Sequence, residues 1–192
     1  PHIYDMHSSL PQQLSNFRYS RSRTITSLFE RLERRMVSGS QAIITVCKEL
    51  EDKAAALGAR DRAFLIENVC GGDMEAVAGP GPDSLRARWN IPAGSQVVLY
   101  TGTFEPYQGL DMLVEAAAIV AKVVPTARFL VAGGTTSQVE SAQHLAAGAG
   151  APMIFTGQLP PHEIPHLIDL CDVLVSPRIS GTNTPLKIYS YL

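Results

Sequence analysis

Residues 171–192 read CDVLVSPRISGTNTPLKIYSYL, and this stretch indicates the fold. The apolar run 171–177 predicts a buried strand with its exit turn. A polar segment containing glycine follows at 180–184, and Pro185 then begins a predicted helix. Open α/β sheets place their ligand sites where a strand, a polar loop and a helix start follow in this order. The exposed N–H groups and the dipole of a helix start favour an anion, so we expect a phosphate-bearing ligand here.

The same alternation of strand and helix extends back to residue 83. Strands rich in Val and Leu are predicted at 96–100, 128–132, 153–155 and 173–175. Helices are predicted at 83–89, at 110–124, from the glycine turn at 134 to about 147, and at 165–170. Strands that alternate regularly with helices predict a parallel sheet with helices on both faces. The fold class is therefore α/β.

An earlier block of the chain has a shorter alternation of its own. Strands are predicted at 2–4, 42–46 and 63–66, and helices at 21–37 and 48–57. Glycine and proline are dense between 71 and 82, which is typical of a domain boundary. We expect a first domain at 1–72, a linker at 73–82 and a second domain at 83–192. Both domains are expected to be incomplete, because the chain lacks an initiator Met and ends inside a predicted helix.

Four predicted strand ends of the second block carry turns that contain glycine. These turns are Thr101-Gly102-Thr103, Gly133-Gly134, Thr156-Gly157-Gln158 and residues 178–184. In a parallel sheet all four lie along one edge, so they can line one cleft. Arg178 and Lys187 flank the last turn, and cations beside such turns favour a bound phosphate.

Other phosphate and metal motifs are not matched. No G-x-G-x-x-G follows a strand, and Leu110 stands where a P-loop of the length of 102–109 needs Lys. Residues 162–166 match the zinc pattern H-E-x-x-H. However, Pro165 belongs in the first turn of a helix, which leaves His162 before the helix. We therefore expect a helix-entry turn here and no metal.

Composition and charge narrow the class of protein. A net charge of −2 argues against a nucleic-acid binder. Cys47, Cys70 and Cys171 lie in or beside apolar runs, which suggests reduced thiols and a cytoplasmic protein. We expect no signal peptide and no membrane span, because no apolar run approaches the roughly 20 residues needed. The arginine-rich helix at 21–37 is amphipathic, and its arginines are expected to form a solvated face. The same pattern also allows contact with the inner face of an anionic membrane or with a lipid-linked acceptor.

Several segments, in their order and spacing, resemble one enzyme family. They are Ile44-Thr45-Val46 with Lys48-Glu49-Leu50, Ile66-Glu67-Asn68-Val69 with Asp73, and residues 99–110, 129–134, 155–159 and 172–187. Together they resemble the retaining glycosyltransferases of family 4, and the resemblance runs from Tyr4 to Leu192. It implies the GT-B fold, which has two facing Rossmann-like domains.

The resemblance implies how the cleft meets a diphosphate. Thr103 and Gln108 stand where many family members have the Arg and Lys that bind this group, so both positions are neutral here. Arg178 and Lys187 are the nearest cations that can substitute. The other positions implied in donor binding are Gly102, Gly133, Gly181, Asn183 and Thr184. Without the resemblance, Lys187 is an ordinary solvated helix residue, and residues 182–184 can simply cap the last helix.

The resemblance also implies contacts to the rest of the donor and to the reacting sugar. Gln158 and Leu159 match the turn that meets the nucleotide base. Thr182 and Ser190 stand where the family has two glutamates, the second of which holds the ribose hydroxyls. His7 matches a histidine near the reacting sugar, although alone it is an ordinary turn histidine.

The implied activity is transfer of a hexose from a nucleotide-diphosphate sugar to a hydroxyl of a carbohydrate or lipid-linked acceptor, with retention. In such chemistry the protein positions both substrates and stabilises charge on the departing diphosphate, with no metal or cofactor. Here the backbone N–H groups of Gly102 and of 181–184 would assist. Two interpretations stay open: a non-catalytic nucleotide-sugar-binding relative, because four expected charges are missing, and a GT-B-fold sugar-nucleotide epimerase. We expect residues 1–192 alone to be inactive.

Overall fold

The structure is a computed structural model that describes residues 1–16, 22–67, 79–181 and 185–191. It is an α/β structure with two parallel sheets. Its contacts divide the chain into two compact units, a first unit of residues 1–70 with 180–189 and a second unit of residues 71–179 with 190–192. Most of the linker expected at 73–82 lies outside the described residues. Within the described ranges no helix is both long enough and apolar enough to cross a membrane.

The first unit is built on a three-stranded sheet in the order β1-β2-β3. The helix predicted at 48–57 continues into a π-helical turn at Ala55–Ala59. This turn contains Gly58, the glycine that was expected to end the helix. The elements are β1 Ile3–Met6, α1 Leu10–Asn16, α2 Arg23–Gly39, β2 Ala42–Thr45, α3 Lys48–Ala54 and β3 Ala63–Leu65.

One face of this sheet is packed and the other is open. The first face carries Met6 and Ile43, which are fully buried against α2 and α3. On the other face Ile3, Phe64 and Ile66 are 61%, 54% and 58% exposed. These side chains share a face because residues alternate along a strand and paired residues of neighbouring strands point the same way. Parallel sheets are almost always covered on both faces, so the open face is an unusual apolar surface.

The second unit is built on a four-stranded sheet in the order β6-β5-β4-β7. The four strands confirm those predicted from the sequence, with small shifts at their ends. The elements are α4 Pro82–Arg88, β4 Val97–Thr101, α5 Leu110–Val123, β5 Arg128–Ala132, α6 Thr136–Ala149, β6 Met153–Gly157, α7 Ile164–Leu170 and β7 Val173–Leu174. A short helix, α8 Leu186–Tyr191, follows; its residues 186–189 are grouped with the first unit and residues 190–191 with the second.

The strand order of the second unit defines a switch point. The chain steps outward from β4 to β5 and β6, then returns to the other side of β4 for β7. The direction of the strand order therefore reverses between β4 and β7. In open α/β sheets the crevice at the carboxyl ends of such strands is where ligands bind.

Helices cover both faces of this sheet and hold its edge in place. Leu113 of α5 and Ala142 of α6 are buried in a cluster with Phe129 on one face. Leu85 of α4 and Leu167 of α7 are buried in a cluster on the other face. Truncating one such buried leucine to alanine costs about 2–5 kcal/mol. The turns at the carboxyl edge thus follow strands that are packed on both faces.

Candidate functional site

Backbone hydrogen bonds join the carboxyl ends of β4, β5 and β6. The Gly102 N–H donates to the Ala132 carbonyl oxygen (3.0 Å), and the Gly133 N–H donates to the Gly157 carbonyl oxygen (2.7 Å). The three glycine turns therefore lie side by side, as expected from the sequence. Because the Gly102 N–H already has a partner, the expectation that it would meet an anion is wrong for this structure.

Gly133 allows this close approach. Its φ is 127°, a value that side chains disfavour. A Cβ atom at this position would overlap the carbonyl oxygen of Gly102. Only glycine lets the turns after β4 and β5 touch through their backbones.

The turn from β4 to α5 carries the two neutral positions, Thr103 and Gln108. Thr103 is exposed, and its carbonyl oxygen accepts a hydrogen bond from the Tyr100 hydroxyl (2.7 Å). Its N–H makes no hydrogen bond with any described residue. Gln108 closes the 3₁₀ turn Pro106–Gln108, where its N–H donates to Glu105 (2.8 Å). The Thr103 N–H is thus one backbone donor that this turn can offer to an anion.

Arg178 lies beside the same turn, at the switch point between β4 and β7. Its guanidinium carbon is 5.6 Å from the centre of the Tyr107 ring, a cation–π distance. The Ile179 N–H donates to the Tyr107 carbonyl oxygen (3.0 Å). Across the same contact Gly109 (φ 74°) meets the Pro177 backbone so closely that a Cβ would overlap it. Nothing in the sequence marked Tyr107, because the contact requires β7 to lie next to β4.

A cleft of about 500 Å³ opens beside the turn after β6. Gln158 lines it, as does Thr136 in the first turn of α6. Thr135 and Gln138 form a capping box that fixes the start of this helix. Leu159 instead packs against the core cluster beneath α4 and α7. The structure therefore places Gln158 in the cleft and Leu159 beneath the sheet.

The last predicted turn is described only in part. Thr182, Asn183 and Thr184 lie outside the described residues, as does the side chain of Ser190. Gly181 is exposed with a φ of 124°, and Lys187 is a half-buried residue of α8. Both belong to the first unit.

Tyr191 at the end of α8 is a contact that the sequence did not reveal. The Thr101 N–H donates to its hydroxyl oxygen (3.1 Å), and the same hydroxyl shares a hydrogen bond with Thr101 Oγ1 (2.8 Å). Burial raises the pKa of Tyr191, so its hydroxyl stays protonated at neutral pH. Tyr191 therefore holds the end of β4, directly before Gly102.

His7 lies in the turn after β1, at the carboxyl edge of the sheet in the first unit. Its Nε2 is 3.0 Å from Asp5 Oδ2, and both side chains are 58% exposed. The ring is thus accessible and has a carboxylate neighbour that can fix its orientation.

The H-E-x-x-H segment has the arrangement expected of a helix entry. His162 lies in the 3₁₀ turn Pro161–Glu163, and α7 begins only at Ile164. Glu163 is paired with Arg88 (2.6 Å). Among the described residues no group of three or more His, Cys, Asp or Glu side chains is arranged to hold a metal ion.

Comparison with known proteins assigns this architecture to a family. The family described as glycosyl transferases group 1 matches residues 83–189, more than half of the chain. A 2-deoxystreptamine N-acetyl-D-glucosaminyltransferase of Streptomyces fradiae is 29% identical over 165 residues, which is 79% of this chain and 39% of that protein. A 2-deoxystreptamine glucosyltransferase of Streptomyces kanamyceticus is 30% identical over 129 residues, 66% of this chain and 33% of that protein. The chain thus spans less than half the length of these relatives.

Solved structures share the fold. HepE of Anabaena in complex with UDP-glucose matches with a TM-score of 0.69 at 18% identity, over 92% of this chain and 46% of that one. WaaG, a glycosyltransferase involved in lipopolysaccharide biosynthesis, matches with a TM-score of 0.61 at 16% identity, over 92% and 50%. The chain therefore has the fold of the GT-B glycosyltransferases and belongs to the glycosyl transferases group 1 family.

Proposed function

We propose that the full protein transfers a hexose from a nucleotide-diphosphate sugar to an acceptor hydroxyl with retention of configuration, as family 4 enzymes do. The observation that supports this most is the hydrogen-bonded carboxyl edge of the second unit, where the glycine turns after β4, β5 and β6 lie side by side. Arg178 contacts Tyr107 in the first of these turns. HepE, which shares the fold, was solved with UDP-glucose. A nucleotide-sugar donor suits both facts.

Arg178 provides the positive charge that Thr103 and Gln108 do not. Its guanidinium and the Thr103 N–H both lie at the turn after β4, where they can donate to a diphosphate. Donors held in place before the reaction stabilise the charge that develops on a leaving group. Gln158 and the first turn of α6 line a cleft whose volume is within the range of small-molecule sites. They would hold the base side of the donor, and no metal or cofactor takes part.

Nucleotide binding tests the donor site. We expect the full-length protein to bind UDP, GDP or ADP in calorimetry, and Arg178→Met to weaken that binding roughly 10–100-fold, since a hydrogen bond to a charged group contributes about 1.5–3 kcal/mol. Arg128→Met is the matched control, because Arg128 begins β5 at the opposite edge of the same sheet. Equal affinity in the two variants would remove Arg178 from the donor site.

Turnover separates the three functional interpretations. Transfer of the sugar to an added acceptor, unaffected by EDTA, is the expected outcome. Binding of the nucleotide sugar without turnover would identify a non-catalytic relative. Conversion of the sugar nucleotide to its epimer without an acceptor would identify an epimerase.

Two acceptor classes are worth comparing. Both curated relatives carry 2-deoxystreptamine in their names, so a small polyhydroxylated acceptor is one class. A lipid-linked sugar is the other. Assays of the full-length protein with each acceptor and a common donor distinguish them through the product that forms.

Helix α2 is the element that would meet an anionic membrane. Ile25, Leu28, Leu32 and Met36 recur at helical spacing and are 37–54% exposed. The exposed residues Arg31, Arg34 and Arg35 lie beside this apolar stripe on the helix surface. Apolar side chains together with arginines suit an anionic lipid surface. Sedimentation with anionic and with neutral vesicles tests this contact, and equal binding to both would contradict it.

A further inference from the structure

A carboxylate lies in the core of the first unit. Glu33 of α2 is only 2% exposed, although the other described carboxylates of this unit are more accessible. Taking a charge out of water costs several kcal/mol unless partners compensate. Its partners therefore show what the residue does.

The partners of Glu33 all lie around the start of α1. Glu33 Oε1 accepts a hydrogen bond from the Leu10 N–H (2.9 Å), and Oε2 is 2.8 Å from Lys53 Nζ. Lys53 also donates to the Ser9 hydroxyl, and Ser9 is only 1% exposed. The Ser9 carbonyl oxygen accepts a hydrogen bond from the Gln13 N–H (2.9 Å), so Ser9 is the N-cap residue that precedes α1. One ion pair between a buried carboxylate and a partly exposed lysine thus holds two consecutive residues of the turn.

This turn is the one that carries His7. It leaves β1 at Met6, which is fully buried, and enters α1 at Leu10. The His7 ring contacts Asp5 on the strand side of the turn. On the helix side, Ser9 and Leu10 are bound to Lys53 and Glu33. The turn that presents an exposed histidine is therefore anchored at both ends.

A gain in stability does not by itself explain why Glu33 is buried and paired with Lys53. Replacing a buried ion pair by apolar residues of similar volume is often neutral or stabilising. Reacting groups need to be held within a fraction of an ångström of their productive positions.

We propose that Glu33 and Lys53 are positioning residues that hold the His7 turn in its working conformation. This rests on the proposed function and on the resemblance that matches His7 to a histidine near the reacting sugar. Neither residue contacts substrate; each acts through the backbone and hydroxyl groups of Ser9 and Leu10.

The experiment is a double-mutant cycle in the full-length enzyme. Glu33→Gln and Lys53→Gln are each expected to lower kcat about 10–100-fold while leaving the dissociation constant for UDP unchanged. In a His7→Ala background neither substitution lowers kcat further, because the group that it positions is gone. Glu51→Gln is the matched control, since Glu51 pairs with Lys48 on the surface of α3 and its loss leaves kcat unchanged. Additive losses in the His7→Ala background would overturn the proposal.

A second measurement does not depend on turnover. The His7 ring protons, observed by NMR, are expected to shift in Lys53→Gln and to stay in place in Glu51→Gln. Lys53 is 34% exposed, so its replacement is compatible with folding even if Glu33→Gln is not. Unchanged His7 signals in a folded Lys53→Gln protein would contradict the positioning role. If the signals shift but no sugar is transferred by the parent enzyme, the proposed function fails and the anchoring stands.

Discussion

Gly133 shows how much of the donor edge depends on one missing side chain. Its φ of 127° and the overlap that a Cβ would make with the Gly102 carbonyl oxygen leave no alternative residue. Gly150 offers an instructive contrast. It also has a positive φ, 67°, but a Cβ there would meet open space. The two positions differ in the room around them.

We expect Gly133→Ala to lower the free energy of unfolding by more than Gly150→Ala and to weaken UDP binding as well. Gly150→Ala carries only the strain of a left-handed backbone, about 1–2 kcal/mol. It leaves UDP affinity unchanged, because Gly150 ends α6 at the far edge of the sheet. Urea unfolding and calorimetry measure both effects. Similar losses in the two variants would mean that contact with Gly102 is unimportant.

The strands of the second unit were predictable from local sequence pattern, whereas helix α1 depends on a tertiary contact. The strands of the second unit carry runs of Val and Leu, which predicted them to within about two residues of the observed ends. Helix α1 was missed, because LPQQLSN has a proline at its second position and too few apolar residues to show a helical period. Its start depends on Glu33, more than twenty positions away.

The predictable parts of the candidate site were the turns that directly follow strands in the sequence. Turns that come directly after strands were found from the sequence, because parallel strands all end at one edge. The contacts of Arg178 with Tyr107 and of Tyr191 with Thr101 were not found. Each joins segments that become neighbours only through the order β6-β5-β4-β7. Strand order depends on packing across the whole sheet and leaves no local signal.

The contact between Tyr191 and Thr101 within the second unit gives a further prediction. Tyr191→Phe removes the hydroxyl that binds Thr101, so we expect stability to fall by about 1 kcal/mol and UDP affinity to fall a few-fold. Tyr4→Phe in the first unit is the control and keeps UDP affinity unchanged. Thermal unfolding and UDP titration of the two variants check this. A loss of affinity in Tyr4→Phe as large as in Tyr191→Phe would speak against a specific role for the α8 contact.

Burial of one thiol and two tyrosine hydroxyls makes the stability of the whole molecule depend on pH in the alkaline range. Burial, with the charge of Asp172 adding to it, raises the pKa of the Cys171 thiol from 9.0 to about 12. Burial likewise raises the pKa of Tyr100 and Tyr191. A group whose pKa rises on folding favours the folded state while it stays protonated. That contribution is therefore fully present below pH 9 and is lost as the pH rises towards 12.

We expect the free energy of unfolding to decrease between pH 8 and pH 10, with about 1 kcal/mol of the decrease due to Cys171. In Cys171→Val, which has a side chain of similar size and no titratable group, the decrease should be smaller by that amount. Urea unfolding of both proteins at the two pH values measures the difference. Identical decreases would show that the thiol does not contribute.

The open face of the three-stranded sheet has a practical consequence for the bench. Ile3, Phe64 and Ile66 form an exposed apolar patch on a parallel sheet, an element whose two faces are usually both covered. Exposed apolar surfaces promote self-association as the protein concentration rises. The monodispersity of the purified protein would then depend on these three side chains of the first unit more than on the well-packed second unit.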